Sequence, residues 1–453
     1  MHSSQRENFG SSFTFIMAMA GSAIGLGNIW RFPYMVGEYG GAAFIIAYVL
    51  CSVLIAVPCF ICESLIGRRA LSGVYGAFHK LAPGSKWKYM GLLSVFTCFI
   101  IISYYCVVGG WSLDFLVRSI TGKLAQGNPD AATSVFGRMA SSSLESVIMH
   151  LAFLGATTII VIRGVKDGIE KFTKITTPLL FVFMVAMAIF SVTLPGARAG
   201  VEYLVKPDFS KLNAQGIASA LGQAFYSMSL GVGTVLIYSS FMKKNDGILR
   251  AGLWTSLSDT GFALIAGFAI MPAVFAAGIE PGAGPSLVYE TLPFIFAEMG
   301  VEAPTLVFII TIIFFLAILM AALSSSISIL DVCVEHVVEQ YHFKRWQSGL
   351  VFFVLAAGLG TLCALSFGKL KDLKFFGKTI FDNCDYLCSN ILMMIGALAF
   401  ILFVGWKMKK EDVRDEFTNG GTLAFSSRAF DFIYFMIRWI VPLVILFLFI
   451  SSL

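Results

Sequence analysis

Charge is what this sequence has least of. Asp, Glu, Lys and Arg together make up 13% of its 453 residues, against 57% hydrophobic ones. No soluble core hides that much apolar surface, so a water-soluble globular protein is excluded, and the mean hydropathy of +0.83 points to a polytopic membrane protein. Also missing are a phosphate-binding loop, a metal-hydrolase motif and a nucleophile set beside a general base, which leaves no basis for an enzyme. The net charge is only +5; it calls for no nucleic-acid partner and is the ordinary basic skirt of a membrane protein. The nine cysteines lie mostly inside apolar runs. Cys59 and Cys62 have C-x-x-C spacing, yet in an apolar helix they read as small buried hydrophobes, not as a metal or redox site.

What is present is a succession of apolar runs. Eleven are long enough to cross a bilayer, near 10–36, 41–66, 90–120, 146–162, 172–194, 217–242, 249–277, 304–338, 348–368, 380–405 and 429–451. The first follows a short polar start and is too long for a signal peptide, so it counts as a span. Twenty Lys and Arg fall on the side of the N-terminus and ten on the other, which predicts a cytoplasmic N-terminus and an outside C-terminus. Lys369, Lys371, Lys374 and Lys378 run against that rule.

The first run carries Gly21, Gly25 and Gly27 in its middle and ends in Arg31-Phe32-Pro33. Each glycine weakens a helix by roughly 1 kcal/mol relative to alanine. One reading is a packing face that lets helices approach closely. The other is a break in the helix, tolerated at membrane depth only where the freed backbone lines a cavity or meets a ligand. A second interruption, Ser227-Met228-Ser229-Leu230-Gly231-Val232-Gly233, opens the second half of the chain. Two interrupted spans heading two halves favour the break, and with it a transporter whose site lies between inverted repeats.

Polar groups elsewhere in the spans are few and therefore informative. Asp259 stands alone in an apolar run and is by default functional, here as a cation ligand. Glu63 is either an interfacial residue or a buried partner for broken backbone. Tyr104 and Tyr105 lie deep enough that at least one hydroxyl needs a polar partner. Gly168 and Pro178 bracket the start of the fifth run, which makes that segment a candidate for unwinding. Ser324, Ser325, Ser326 and Ser328 either join helices or offer oxygens to a hard ion. The loop 278–303, with Glu280, Glu290, Glu298 and Glu302 and no Lys or Arg, reads as an acidic hairpin over the cavity, and residues 195–215 as an outside loop with short surface helices. Asp382 and Asp385 open the tenth run, where they could face Arg31.

The segments GSAIGLGNIWRFPY, Tyr39-Gly40-Gly41, Glu63 with Gly67-Arg68, the paired tyrosines, GQAFYSMSLGVG and the serine-rich eighth run together resemble the neurotransmitter:sodium symporter family, across essentially the whole chain. Eleven spans and a short C-terminus are similar to its bacterial branch of hydrophobic and aromatic amino-acid transporters. The resemblance implies an all-α integral membrane protein with a leucine-transporter-type 5+5 inverted repeat and broken helices 1 and 6. The first repeat would cover 1–194 and the second 217–405, joined by an extracellular loop, 195–216, and followed by a cytoplasmic loop and the last span, 406–453. It implies two Na+ sites. The first would use the Ala23 carbonyl, Asn28, Ser227 and Asp259 with the substrate carboxylate. The second would use the carbonyls of Gly21, Ile24 and Ala321 and the hydroxyls of Ser324 and Ser325. The substrate would meet Ala23, Gly25, Gly27, Tyr105, Tyr226, Ser227 and Ser229, with a side-chain pocket of Ile101, Tyr226, Ser229, Val232, Ser325 and Ile329.

Gates are implied at Arg31, Asp385 and Gln223 outside, and at Arg6 with Glu339 inside, where Phe241 replaces a tyrosine common in the family. Gly25 stands where amine transporters carry Asp, so the ligand must bring its own carboxylate, as an α-amino acid does. Asp259 stands where chloride-dependent relatives carry Asn, which implies chloride independence. Val232 replaces a phenylalanine seen in some relatives and leaves room for a large side chain. The expected protein is thus a sodium-coupled symporter of the bacterial inner membrane. Its partners would be an amino acid and the lipid bilayer; a homodimer is one assembly left open. The rival expectation is a receptor of the same fold that senses an amino acid without transporting it.

Overall fold

The first span does not run straight. Helix α1 (Ser12–Ala23) starts at Ser11, where the Thr14 amide donates to Ser11 Oγ and the Ser11 amide donates back to Thr14 Oγ1. It stops at Ile24, whose backbone is extended (ψ 105°). The chain resumes as α2 (Gly27–Glu38), inclined by 54° to α1. The break falls at the cluster Gly25–Gly27, as the sequence led one to expect. The computed structural model describes residues 9–124, 129–278, 288–289, 292–299, 303–423 and 425–452.

Among the described residues all regular structure is helical, save two isolated bridges, Gly41–Pro207 and Phe375–Lys378. After α2 come α3 (Ala42–Ala70), the short α4 (Val74–Leu81), α5 (Lys88–Ile120), α6 (Pro129–Ser141), α7 (Ser143–Ile162) and α8 (Asp167–Val192). The 195–215 segment does carry a short helix, α9 (Arg198–Val205). Helices α10 (Ala214–Ser227) and α11 (Thr234–Ser239) flank the second interruption. They are followed by α12 (Ile248–Ala276), α13 (Leu292–Met299), α14 (Pro304–Tyr341), α15 (Arg345–Leu365), α16 (Ile380–Lys407), α17 (Lys410–Phe417) and α18 (Ser427–Phe447). Nine of these described helices are continuous, apolar and long enough to cross a membrane, and the bent pair α1–α2 makes a further broken span. Helices α10 and α11 stay outside that number because 14 and 6 residues reach only about 21 and 9 Å at 1.5 Å per residue.

Between α10 and α11 the chain turns through left-handed backbone at Ser229 (φ 52°), Gly231 (φ 84°) and Gly233 (φ 82°). For Gly231 there is no alternative residue. A Cβ there would strike the Met393 carbonyl, and one at Gly396 would strike the Gly231 carbonyl, so α16 lies directly against the break. On the other side, Gly67 of α3 touches the Leu236 backbone of α11 just as closely. Glu63 settles which of its two readings holds. It is 1% exposed, and its Oε1 accepts the Gly231 amide at 2.7 Å. It is thus a partner for broken backbone and not an interfacial residue.

The Gly168–Pro178 bracket is helical throughout: a π-type turn spans Val165–Glu170, and the helix passes through Pro178 without interruption. Of the acidic loop, Glu280, Glu290 and Glu302 lie outside the described residues, as does the side chain of Glu298. The most extensive helix pairing is α14 against α5. It brings the serine-rich segment of one toward the paired tyrosines of the other, beside both breaks.

Candidate functional site

Asp259, midway along α12, is fully buried. Its Oδ1 accepts hydrogen bonds from Asn28 Nδ2 at 2.7 Å and Ser227 Oγ at 2.6 Å, and its Oδ2 accepts one from Tyr48 Oη at 2.8 Å. Asn28 comes from the first broken span and Ser227 from the last turn before the second break. One carboxylate thus ties both interruptions together. Asn28 is itself placed by the first break: its Oδ1 accepts the Gly25 amide at 3.1 Å. Every donor to Asp259 is neutral, and no basic side chain pairs with it among the described residues. An anion removed from water costs several kcal/mol unless a positive charge compensates it, so this carboxylate, with the Ser227 and Tyr48 hydroxyls beside it, suits a hard monovalent cation.

A second oxygen cluster lies where α1 ends against α14. Ser324 Oγ donates to the Ala321 carbonyl at 2.9 Å and lies 3.4 Å from the Ile24 carbonyl. Ser325 Oγ donates to the Ser22 carbonyl at 3.1 Å and lies 3.5 Å from that of Ile24. The break leaves the Ile24 carbonyl without its helical partner, and the two hydroxyls meet it. Gly21 lies one turn earlier. A Cβ there would come within 2.7 Å of Thr177 Oγ1, so this glycine permits the close approach of α8. Among the described residues, the Ser324 and Ser325 hydroxyls bond to the carbonyls of Ser22, Ile24 and Ala321 and not to that of Gly21.

Between the two clusters lies a cavity of about 30 Å³. Its walls hold every residue assigned to the substrate from the sequence: Ala23, Gly25, Gly27, Ile101, Tyr105, Tyr226, Ser227, Ser229, Val232, Ser325 and Ile329, joined by Leu26 and Met393. Tyr105 Oη is buried and makes no hydrogen bond among the described residues, an orphan donor aimed at the glycine break. Gly27 is held by Gln223, whose Nε2 donates to its carbonyl at 2.9 Å. A Cβ at Gly25 would lie against Ser325 Oγ and 3.4 Å from Tyr105 Oη, so any side chain at that position would occupy the polar end of the cavity.

A vestibule of about 160 Å³ stands over this cavity and is lined by Arg31, Tyr104, Tyr226, Phe381 and Asp385 among others. Arg31 and Asp385 share it without forming an ion pair. The guanidinium lies 5.0 Å from the Tyr226 ring centre, and Asp385 accepts from Ser389 Oγ at 3.1 Å. At the other end of the molecule, Glu339 accepts from Ser72 Oγ at 2.9 Å and the Gly73 amide at 2.7 Å, just ahead of α4. Its expected partner Arg6 lies outside the described residues. Phe241 is buried, and its carbonyl accepts the Phe9 amide at 3.2 Å.

Sequence reasoning missed Tyr48, Leu26, Met393 and the Ser22–Ser328 hydroxyl pair at 2.7 Å. Tyr48 could have been singled out on the ground used for Tyr105, a phenol deep inside an apolar run. Met393 and Leu26 carry no such signal, because apolar residues on apolar helices look alike until the helices are packed.

The chain matches the family model described as the sodium:neurotransmitter symporter family over residues 6–135 and 134–453. It is 37% identical over 446 residues to the sodium-dependent transporter YhdH of Bacillus subtilis, spanning 97% of this chain and 96% of that one. It is 35% identical over 460 residues to a sodium-dependent transporter of Haemophilus influenzae, spanning 99% and 98% of the two chains. Among solved structures, that of MhsT in complex with L-phenylalanine has 39% sequence identity and a TM-score of 0.91, covering 99% of this chain and 100% of that chain.

Proposed function

Because this chain belongs to the sodium:neurotransmitter symporter family, we propose that it takes up a hydrophobic L-amino acid, aliphatic or aromatic, coupled to sodium and independently of chloride, by alternating access. The single observation that carries this reading is the cavity itself. Its polar end holds Tyr105 Oη and the broken backbone at Gly25 and Gly27; the rest is walled by Ile101, Val232, Ile329 and Met393. A carboxylate meets the phenol and the amide end of α2, an ammonium meets carbonyls near Tyr226, Ser227 and Ser229, and an apolar side chain fills the remainder. No charged side chain lines this cavity, so acidic and basic amino acids are excluded by desolvation. The L-phenylalanine bound to the MhsT relative supports the same class.

Two sodium ions are the co-transported substrates in this reading. The first takes Asp259, Asn28, Ser227 and the Ala23 carbonyl. The second takes Ser324, Ser325 and the carbonyls of Ile24, Ala321 and Gly21. Two charges crossing 100 mV supply about 4.6 kcal/mol, from roughly 2.3 each, which supports accumulation of a zwitterion by about three orders of magnitude. Asp259 supplies the fixed negative charge that removes the need for chloride. The architecture completes eleven spans, counting α1–α2 and α10–α11 as broken helices. Spans 1–5 (1–194) and 6–10 (217–405) form inverted repeats, with the N-terminus in the cytoplasm of a bacterium. Arg31 and Asp385 close the vestibule above Gln223, and Arg6 with Glu339 closes the inner end.

Uptake of labelled hydrophobic amino acids into proteoliposomes tests the reading, with Na+ replaced by K+ and chloride by gluconate. Uptake is expected to require Na+ and to ignore chloride. Sodium-independent uptake overturns the coupling, while sodium-dependent binding without uptake moves the assignment to an amino-acid-sensing receptor. Within the cavity, Tyr105→Phe removes a hydrogen bond to a charged group, worth about 1.5–3 kcal/mol, and is expected to weaken apparent substrate affinity roughly ten- to hundredfold. Equilibrium binding of the labelled amino acid at saturating Na+ measures this. An unchanged affinity removes Tyr105 from the carboxylate.

A further inference from the structure

Nine thiols are free in this chain, and three are turned to backbone carbonyls: Cys98 donates to that of Val232, Cys333 to that of Val95 and Cys388 to that of Thr97. Cys363 and Cys384 instead face each other. Their sulfurs lie 3.9 Å apart, on the last turn of α15 and the first turns of α16, 21 positions apart in the chain. Cys363 is fully buried, while Cys384 is partly exposed beside Asp382 and Asn383.

From this juxtaposition we infer that Cys363 and Cys384 are a disulfide-forming pair, whose oxidation clips the outer end of α16 to α15 and restrains the outer gate. The placement on the outer face, where a disulfide persists, rests on the orientation proposed above. The partner chemistry is a small-molecule or protein disulfide. The Cys384 thiolate attacks one sulfur of that disulfide and expels one thiolate, giving a mixed disulfide. The Cys363 thiolate then attacks the Cys384 sulfur and expels the second. Two protein thiols become one internal disulfide, the external disulfide becomes two thiols, and the two cysteine protons pass to the leaving thiolates. Bond formation brings the sulfurs from 3.9 Å to about 2.05 Å.

The link to the gate is positional. Asp385 follows Cys384 directly and lines the vestibule opposite Arg31. Phe381, one turn earlier, packs on Tyr104 and Phe367 with ring centres 5.6 and 5.0 Å apart. Its amide donates to Ser366 Oγ at 3.3 Å. In the reduced protein these contacts can part as α16 moves. A covalent clip one residue from Asp385 removes that freedom, so closure of Asp385 toward Arg31 becomes slow.

The experiment treats the full-length protein in proteoliposomes with oxidised glutathione, removes the excess, and counts alkylatable thiols by mass spectrometry alongside uptake. Oxidation is expected to lower the thiol count by two, to slow uptake about tenfold, and to be reversed by reductant. Cys363→Ala and Cys384→Ala are each expected to abolish that loss of paired thiols, with uptake retained. Cys388→Ala should leave it intact. An unchanged count in the parent protein overturns the pair whatever the uptake shows. A count lowered by two with equal uptake in both redox states overturns the restraint on the gate.

Discussion

Asp259→Asn is expected to lower apparent Na+ affinity roughly thirtyfold or more, because the truncation of one buried charged partner costs about 2–5 kcal/mol. The Asn side chain keeps the shape of the site and can still meet Asn28, Ser227 and Tyr48, which donate to Asp259 at 2.6–2.8 Å. What it loses is the negative charge. Uptake should then either cease or become dependent on chloride, as an external anion takes over the role of the lost carboxylate. The same variant makes an opposite prediction for stability. Without sodium, the wild-type protein carries a fully buried carboxylate among neutral donors, and neutralising it relieves a desolvation penalty. The melting temperature in K+ should therefore rise in Asp259→Asn, while the Na+-induced increase of the wild type should shrink, since a ligand stabilises only the state that binds it. Thermal melts across a Na+ series measure both effects. If sodium stabilises wild type and variant equally, Asp259 is not a sodium ligand.

Glu63→Ala is expected to cost about 3 kcal/mol or more, since it strips the buried acceptor from a backbone amide that has no other partner at that depth. The Gly231 amide, 2.7 Å from Glu63 Oε1, belongs to a stretch that cannot be rebuilt as helix. Gly231 and Gly233 hold left-handed backbone, and α16 touches the turn at Gly231 too closely for any side chain. The variant should melt several degrees lower and lose substrate binding together with sodium binding, because Ser227 and Ser229 stand on that turn. Glu63→Gln keeps one acceptor oxygen and should recover most of the stability. Scanning fluorimetry of both variants in one detergent decides the point. Equal melting of wild type and Glu63→Ala would mean that the break needs no such partner.

Gln223, assigned to the outer gate from resemblance, also has a local contact that the sequence did not mark. Its amide donates to the Gly27 carbonyl at 2.9 Å and so positions the wider turn that opens α2. Arg31 likewise lies over Tyr226 and not against Asp385. The vestibule therefore stands between the two charges that were expected to face each other, and the thiol pair at Cys363 and Cys384 lies beside the one on α16.

The sequence by itself determined the class of protein, because a chain so poor in charge has only the bilayer as solvent for its apolar runs. It also located both breaks and the buried acid of the eighth run's neighbour, Asp259. Glycine clusters and a lone carboxylate are costly at membrane depth in any packing, so their positions are legible without one. The tertiary structure decided what depends on which helix face meets which. Tyr48 reaches Asp259 across 211 positions of the chain, and Glu63 reaches Gly231 across 168. Met393 enters the cavity only because Gly231 and Gly396 let two backbones touch. An apolar helix in lipid has no wet side to mark its orientation. Its inward face is chosen by fit against its neighbours, and that information is spread over the whole chain.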